Sequence, residues 1–127
     1  MLKPLLIEET EDTPKVHLDR ENGIFEISGR SFPEDASKFY AAVLLWVEDY
    51  IKDPCKETLF SFHLEYFNST SVKQLLEILI KLEGMADTGK KVKIIWSYSK
   101  NDELMAAKGE EIKNMVNLIF QFKEVEE

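Results

Sequence analysis

The 127-residue chain is long enough to bury the core of one domain and too short for two. Its hydrophobic fraction of 44% and aromatic fraction of 11% are typical of a folded domain and exclude general disorder. The formal net charge of −8 disfavours nucleic acids and anionic membrane surfaces, which are themselves negatively charged, and favours a protein partner with a basic patch.

Cysteine usage and the apolar runs indicate the compartment. Cys55 is the only cysteine, which excludes an internal disulfide and a cysteine-based metal cluster and favours a reducing environment. Residues 1–12 place acids directly after a short apolar patch, unlike a signal peptide. The longest apolar run, residues 41–47, is far shorter than a membrane span. We therefore expect a cytoplasmic protein without a membrane partner.

The chain opens with the pattern of a β-hairpin. Residues 16–18 and 24–28 alternate between apolar and polar side chains, as half-buried strands do. Asn22-Gly23 between them favours a tight turn, because both residues tolerate positive φ. Residues 5–7 are ambiguous and can pair as an additional edge strand.

A helix is predicted after this hairpin. Residues 29–35 break the strand, and Pro33 suits a first helical turn, where the missing N–H costs nothing. Apolar residues then recur at helical spacing, at Phe39, Ala42, Val43, Trp46 and Tyr50. They predict a helix to about Ile51, which Asp53-Pro54 ends, because a residue before proline disfavours the helical conformation.

The stretch from residue 58 to residue 82 predicts a strand, an abrupt polar turn and a long amphipathic helix. Residues 58–66 alternate, and leucines at helical spacing follow to Leu82. Between them, residues 68–71 read Asn-Ser-Thr-Ser, all types that cap helices by accepting from unpaired backbone N–H groups. Such a junction lies at the carboxyl end of a strand, where open α/β sheets carry functional sites.

The last third predicts a strand at residues 92–96, a third helix and a strand at residues 118–122. The apolar residues of the third helix are Leu104, Met105, Ile112, Met115 and Val116, and we expect its methionines in the core. Gly109 in its middle destabilises the helix by roughly 1 kcal/mol relative to alanine, which a close approach of helix and sheet would explain.

The order of elements defines the fold class. Helices alternate with strands after the opening hairpin, which implies right-handed crossovers and a mixed sheet with a parallel centre. We predict a single α/β domain over residues 1–127, with about five strands and with helices mainly on one face, because the strands alternate. Residues 1–14 and 123–127 are expected to be loosely ordered ends.

Three segments carry a resemblance to a known family: residues 13–16 (TPKV), residues 29–34 (GRSFPE) with Phe39-Tyr40, and residues 64–71 (LEYFNSTS). With the order of elements, they resemble the STAS fold of the anti-sigma-factor antagonists. More specifically, the chain is similar to the SiaC family of regulatory phosphoproteins over nearly its whole length. SFPE and YFNSTS together are fairly specific, whereas either alone would be weak.

The resemblance implies a partner switch. In such families a serine/threonine protein kinase phosphorylates the first hydroxyl of the cluster and a metal-dependent phosphatase removes the phosphate. Only the unmodified form binds its target, which for the best-known members is a diguanylate cyclase and links the switch to cyclic-di-GMP and biofilm control. The first hydroxyl is Ser69 here, and Thr70 and Ser71 are alternatives. No cofactor or metal is implied.

The expected partner surface surrounds this hydroxyl. Its candidate residues are Tyr66, Phe67, Asn68, Ser69 and Thr70, with Ser31, Phe32, Pro33 and Glu34 as a rim. The rim segment can equally be a plain connection with Phe32 in the core. Of Tyr66 and Phe67, we expect one in the core and the other as an exposed anchor.

Two other functions stay open. From spacing alone, an ordinary helix cap at Asn68 or Ser69 is the more frequent explanation, and the protein would then be a constitutive scaffold. A small hydrolase with Ser69 as nucleophile is disfavoured, because the chain lacks a G-x-S-x-G elbow and a histidine nearby. His17 and His63 lie on predicted strands without further ligands at metal spacing, so we expect no metal site.

Overall fold

The computed structural model of the protein describes residues 2–126 and contains one sheet and three helices. The strands are β1 (Leu5–Ile7), β2 (Lys15–Asp19), β3 (Ile24–Ser31), β4 (Glu57–Phe67), β5 (Lys91–Ser99) and β6 (Ile119–Val125). The helices are α1 (Ala36–Tyr50), α2 (Ser69–Ala86) and α3 (Glu103–Lys113). None of these helices is long and apolar enough to cross a membrane.

The six strands lie in the sheet in their sequence order. β1, β2 and β3 pair antiparallel, and β3, β4, β5 and β6 pair parallel. The predicted α/β class and the mixed sheet with a parallel centre are therefore confirmed. The strand beyond the predicted five is the ambiguous edge strand β1, in which Leu6 pairs with His17 of β2.

The ends of the described chain are more extended than the sequence suggested. Residues 5–7 and 123–125, both placed in loosely ordered ends from sequence, lie in β1 and β6. Lys123 pairs with Ser97 of β5, which continues the last strand beyond the predicted end at residue 122. Residues 1 and 127 lie outside the described part. The reason for the difference is pairing with a neighbouring strand, which a local apolar pattern does not reveal.

The helices cover one face of the sheet, as predicted. Trp46 and Tyr50 of α1 stack 5.4 Å apart and contact Phe25 of β3. From Phe25 the ring contacts continue through Phe60, Phe62 and Trp96 across β4 and β5. The Trp96 indole donates to the carbonyl of Met105 in α3 over 3.0 Å. Each fully buried side chain of this layer contributes roughly 1.5–3 kcal/mol relative to exposure.

The start of α1 differs from the prediction. Asp35 caps the helix by accepting from the backbone N–H of Lys38 over 3.1 Å. Pro33 is buried in the connection before this cap and does not lie in the first turn. The side-chain cap at Asp35 outweighs the preference of proline for the first turn. The segment Phe32–Glu34 therefore remains a connection between the carboxyl end of β3 and α1.

Helix α3 approaches the sheet closely at Gly109, as predicted. A Cβ on Gly109 would lie 2.8 Å from Cε2 of Phe122 and would also overlap the Trp96 indole. Met105 is buried, but the prediction of a buried Met115 is wrong, since it is 60% exposed. The reason is that α3 ends at Lys113, so helical spacing no longer determines the direction of Met115.

Candidate functional site

The junction between β4 and α2 is a helix cap. Asn68 precedes α2, and its side-chain oxygen accepts from the backbone N–H of Ser71 over 3.0 Å. The same oxygen accepts from the hydroxyl of Thr70 over 3.1 Å. The backbone N–H of Asn68 donates to the carbonyl of Ser31, which attaches the junction to the end of β3. Asn68 is thus the capping residue of the cluster, which leaves the hydroxyls after it for other roles.

The three hydroxyls of the cluster have different environments. Ser69 and Thr70 are exposed, whereas Ser71 is fully buried and donates to the carbonyl of Ser31 over 3.0 Å. Thr70 is held by Asn68. Within residues 2–126, the Ser69 hydroxyl makes no hydrogen bond. Of the three, Ser69 is therefore the exposed hydroxyl that no described residue holds.

A buried chain of hydroxyls lies beneath the exposed ones. The Ser31 hydroxyl donates to that of Ser71 over 2.9 Å and lies 2.6 Å from the Tyr40 hydroxyl. Since its single proton is directed to Ser71, Tyr40 is the donor to Ser31. Burial raises the pKa of Tyr40 to about 12. The chain joins α1, β3 and α2 directly below Ser69, and each buried hydroxyl in it is satisfied.

The predicted rim segment divides between core and surface. Ser31 and Pro33 are buried, Phe32 is half-buried and Glu34 is exposed. The Phe32 ring contacts the Tyr66 ring edge-on, with the ring centroids 5.5 Å apart. The structure therefore brings Phe32 and Glu34 to the surface near the junction and places Ser31 and Pro33 beneath it.

Tyr66 and Phe67 separate as expected, one exposed and one in the core. Tyr66 is 46% exposed and Phe67 is 2% exposed. The cause is an extra residue in β4: Gly29 pairs with Leu64, but Arg30 pairs with Tyr66, so Glu65 has no partner in the ladder. This irregularity interrupts the alternation and turns Tyr66 outward.

Two cations lie over aromatic rings beside the junction. The guanidinium of Arg30 lies 5.4 Å from the centre of the Phe32 ring. The ammonium of Lys108 lies 5.6 Å from the centre of the Tyr66 ring and 4.8 Å from that of Phe67. We call Arg30, Phe32, Tyr66 and Lys108 the cation–aromatic surface. It adjoins the junction and combines apolar contact area with positive charge in an otherwise acidic protein.

Ser69 lies between two depressions. The first is an open groove of about 1100 Å³ between the starts of α1 and α2, with Lys38 and Lys73 among its lining residues. The second is a smaller cavity of about 240 Å³ between α2 and α3, with Lys108 and Met115 in its lining. Ser69 lines both. Among the described residues, no group of acidic, histidine or cysteine side chains could hold a metal ion.

The likeness to a known family extends over nearly the whole chain. A family model described as SiaC family regulatory phosphoprotein matches residues 7–125. The chain belongs to the SiaC family of regulatory phosphoproteins. The resemblance indicated by the segments at residues 29–34 and 64–71 is thereby confirmed.

Relatives of this SiaC-family chain come from Pseudomonas aeruginosa. The uncharacterized protein PA14_02130 of strain UCBPP-PA14 is 30% identical over 112 residues, which cover 88% of this chain and 89% of that protein. A solved structure of SiaC matches with TM-score 0.87 at 27% identity and covers 97% of this chain and 99% of that chain. A crystal structure of the diguanylate cyclase SiaD in complex with its activator SiaC matches with TM-score 0.87 at 28% identity, covering 95% and 99%.

Several residues of the site in this SiaC-family protein were not singled out from sequence. Lys108 of α3 has no role in the sequence analysis, Met115 is expected in the core there, and Arg30 and Tyr40 occur only within the segments that carry the resemblance. Local patterns carry no signal for Lys108, because its ring contacts join α3 to the end of β4. The pairing of Tyr40 with Ser31 could have been suspected, since a buried tyrosine hydroxyl requires a partner.

Proposed function

We propose that this protein is a non-enzymatic phosphoswitch that binds and regulates a diguanylate cyclase only when Ser69 is unmodified. A serine/threonine protein kinase adds the phosphate and a metal-dependent phosphatase removes it. The observation that carries the proposal is the position of Ser69. Its exposed hydroxyl lies at the start of α2, between two depressions and beside the cation–aromatic surface.

The environments of the three hydroxyls support Ser69 as the acceptor. A kinase must bring the γ-phosphate in line with the attacking oxygen, so the hydroxyl has to protrude. Ser69 is exposed and makes no hydrogen bond within residues 2–126, Thr70 is exposed but held by Asn68, and Ser71 is buried against Ser31. We therefore rank Ser69 first and Thr70 second.

Phosphorylation at Ser69 is compatible with the fold and incompatible with a docked partner. The phosphate adds about −1.5 to −2 charge at neutral pH, and the start of a helix accommodates an anion because of its unpaired N–H groups and dipole. A partner packed over Ser69 would have to remove water from this dianion, which costs several kcal/mol. Since each 1.4 kcal/mol is tenfold in affinity, we expect binding to fall by at least about 100-fold.

The proposed target follows from the relative. SiaC of Pseudomonas aeruginosa is the activator of the diguanylate cyclase SiaD in their complex. By this likeness we propose a diguanylate cyclase as the target, activation as the effect, and cyclic-di-GMP signalling with biofilm control as the context. The partner surface would include Tyr66, Asn68, Ser69 and Thr70 with the half-buried Phe32 and the exposed Glu34, whereas Phe67, also expected there from sequence, is buried beneath it. Ser31 and Pro33 would support this surface from beneath.

Catalysis by Ser69 has little support in its surroundings. A serine needs an adjacent base to attack at neutral pH. His17 lies in β2 and His63 within β4, and neither lines the depressions around Ser69. The acceptor of a kinase needs no such base of its own, because the kinase supplies it.

Incubation with ATP and the kinase of the same organism tests the proposal. Trypsin releases Glu57–Lys73 as one peptide, and we expect one added phosphate on Ser69 within it. The Ser69→Ala variant is expected to remain unmodified, and Thr70→Ala is the matched control that is still phosphorylated. If the peptide stays unmodified while the protein still binds the cyclase, the protein is a constitutive scaffold. Substrate turnover by the isolated protein that Ser69→Ala abolishes would instead establish an enzyme.

A further inference from the structure

Lys108 lies between two aromatic rings and the cavity that Ser69 lines, so a phosphate on Ser69 would compete with the rings for its ammonium. Its ammonium lies over the Phe67 ring at 4.8 Å and over the Tyr66 ring at 5.6 Å. Lys108 and Ser69 also line the same cavity of about 240 Å³ between α2 and α3. A lysine side chain has a flexible four-carbon stem, so rotation about its own bonds can turn the ammonium from the rings into the cavity that Ser69 also lines.

Lys73 lies on the other side of the same hydroxyl. It follows Ser69 by four residues on α2, a spacing that places both side chains on one face of the helix. Lys73 is exposed and lines the open groove together with Ser69. A phosphate on Ser69 therefore has one lysine within the helix and one lysine across the cavity.

Nearby carboxylates are alternative partners for the two lysines. Glu111 lines the cavity of Lys108, and Glu34 and Asp35 line the groove of Lys73. Among the described residues, neither lysine is engaged in an ion pair with these acids. A phosphate carries nearly twice the charge of a carboxylate and three acceptor oxygens, so it is the stronger partner for both lysines.

We propose that phosphate on Ser69 binds Lys108 and Lys73 and withdraws Lys108 from the rings of Tyr66 and Phe67. This inference rests on the proposed phosphorylation of Ser69. The half-buried Lys108 is attracted to the rings only through their quadrupole, whereas a dianion attracts it by charge and accepts charge-assisted hydrogen bonds, which sets the direction of the exchange. Phosphorylation thus removes a cation from the cation–aromatic surface in addition to introducing a charge that a partner must desolvate.

The movement of Lys108 can be measured directly in the full chain with phosphoserine incorporated at position 69 during synthesis. In the unmodified chain, the ε-methylene signal of Lys108 is expected upfield of the other lysines, because it lies over two aromatic rings. In the phosphorylated chain we expect this signal at the position of an ordinary exposed lysine. Lys108→Gln assigns the signal by its disappearance. An upfield signal that is the same in both chains overturns the proposal.

The phosphate itself provides the second measurement. In a ³¹P titration of the phosphorylated chain, we expect a lower pKa of the phosphate than in the phosphorylated Lys108→Gln and Lys73→Gln variants. Lys90→Gln is the matched control, since Lys90 is an exposed lysine just before β5, at the opposite end of the sheet, and its removal should leave the pKa unchanged. A pKa equal in the parent and the Lys108→Gln chain overturns the proposal.

These experiments separate the inference from the function on which it rests. Phosphoserine is incorporated without a kinase, so a chain that no kinase modifies still reports on Lys108. If Lys108 stays on the rings while the phosphorylated chain loses the cyclase, the exchange is rejected and the phosphoswitch is retained. If Lys108 moves but the phosphorylated chain binds the cyclase unchanged, the exchange is retained and the phosphoswitch is rejected.

Discussion

The two sides of the β4–α2 junction use the same chemical group for opposite purposes. On the buried side, the hydroxyls of Tyr40, Ser31 and Ser71 bond to one another and fix α1, β3 and α2. On the exposed side, the hydroxyl of Ser69 makes no hydrogen bond within residues 2–126 and faces solvent. Two serines two positions apart on one helix thus differ in role because a helix turns one inward and the other outward. Identical substitutions on the two sides should therefore have different effects.

The largest contrast is expected from introducing a carboxylate on each side. Ser71→Asp places a charge in a fully buried site next to the carbonyl of Ser31, and we expect a loss of at least about 3 kcal/mol in the free energy of unfolding. Ser69→Asp adds the same charge at the exposed start of α2, where the helix dipole stabilises it by about 0.3–1 kcal/mol. Urea denaturation of both variants measures the difference. Equal stabilities would refute the assignment of buried and exposed sides.

The pH dependence of stability provides a second contrast. The folded-state pKa of Tyr40 is raised to about 12 by burial, above the ordinary value of 10.0. The unfolded chain therefore loses this proton first, so the contribution is complete below pH 10 and is lost as pH rises towards 12. About two pH units correspond to about 2–3 kcal/mol. Urea midpoints at pH 9 and 11 should fall less in Tyr40→Phe than in the parent. A parallel fall in both would contradict the buried position of the Tyr40 hydroxyl.

A third contrast compares a closely packed glycine in α3 with an unpacked glycine in α2. Gly109→Ala places a methyl against Trp96 and Phe122, and we expect a net loss of about 1–2 kcal/mol despite the better helix propensity of alanine. Gly84→Ala in α2 is the matched control, because a Cβ there meets nothing within 4 Å and should stabilise by up to about 1 kcal/mol. Thermal unfolding of both variants gives the signs. A stabilising Gly109→Ala would show that α3 does not pack this closely.

Removing one hydroxyl from each side should give the smallest contrast. Tyr40→Phe deletes the donor to Ser31, and we expect a loss of about 1 kcal/mol in the free energy of unfolding at neutral pH. Tyr66→Phe deletes an exposed hydroxyl of the same type and should change the free energy by less than about 0.5 kcal/mol. Chemical denaturation resolves the two. Equally small losses in both variants would show that the Tyr40 hydroxyl does not stabilise the fold through Ser31.

The features that the sequence predicts correctly are those that depend on local patterns. The alternation of residues 58–66, the capping types at residues 68–71 and the helical spacing after them located the junction within one or two residues. Gly109 was attributed to close packing because a glycine inside a helix needs a reason. The sequence does not decide the edge strand at residues 5–7, since three residues contain too little pattern to distinguish a strand from a loop.

What the sequence missed depends on contacts between distant elements. The sequence makes Ser71 an alternative to Ser69 as the modified hydroxyl, although it is buried against Ser31, forty residues earlier. The ring contacts of Lys108 depend on where α3 packs, which no spacing within α3 predicts. The outward direction of Tyr66 follows from an irregularity in β4 that simple alternation excludes. In each case tertiary packing, and not local propensity, determines the environment.

The central claim is that a removable charge on Ser69 controls docking, and one binding measurement tests it most directly. Full-length chains with serine or phosphoserine at position 69 are titrated into the diguanylate cyclase of the same organism by isothermal calorimetry. We expect the phosphorylated chain to bind at least about 100-fold more weakly, because the partner would have to desolvate the dianion. Equal affinity of the two chains for the cyclase would contradict the account.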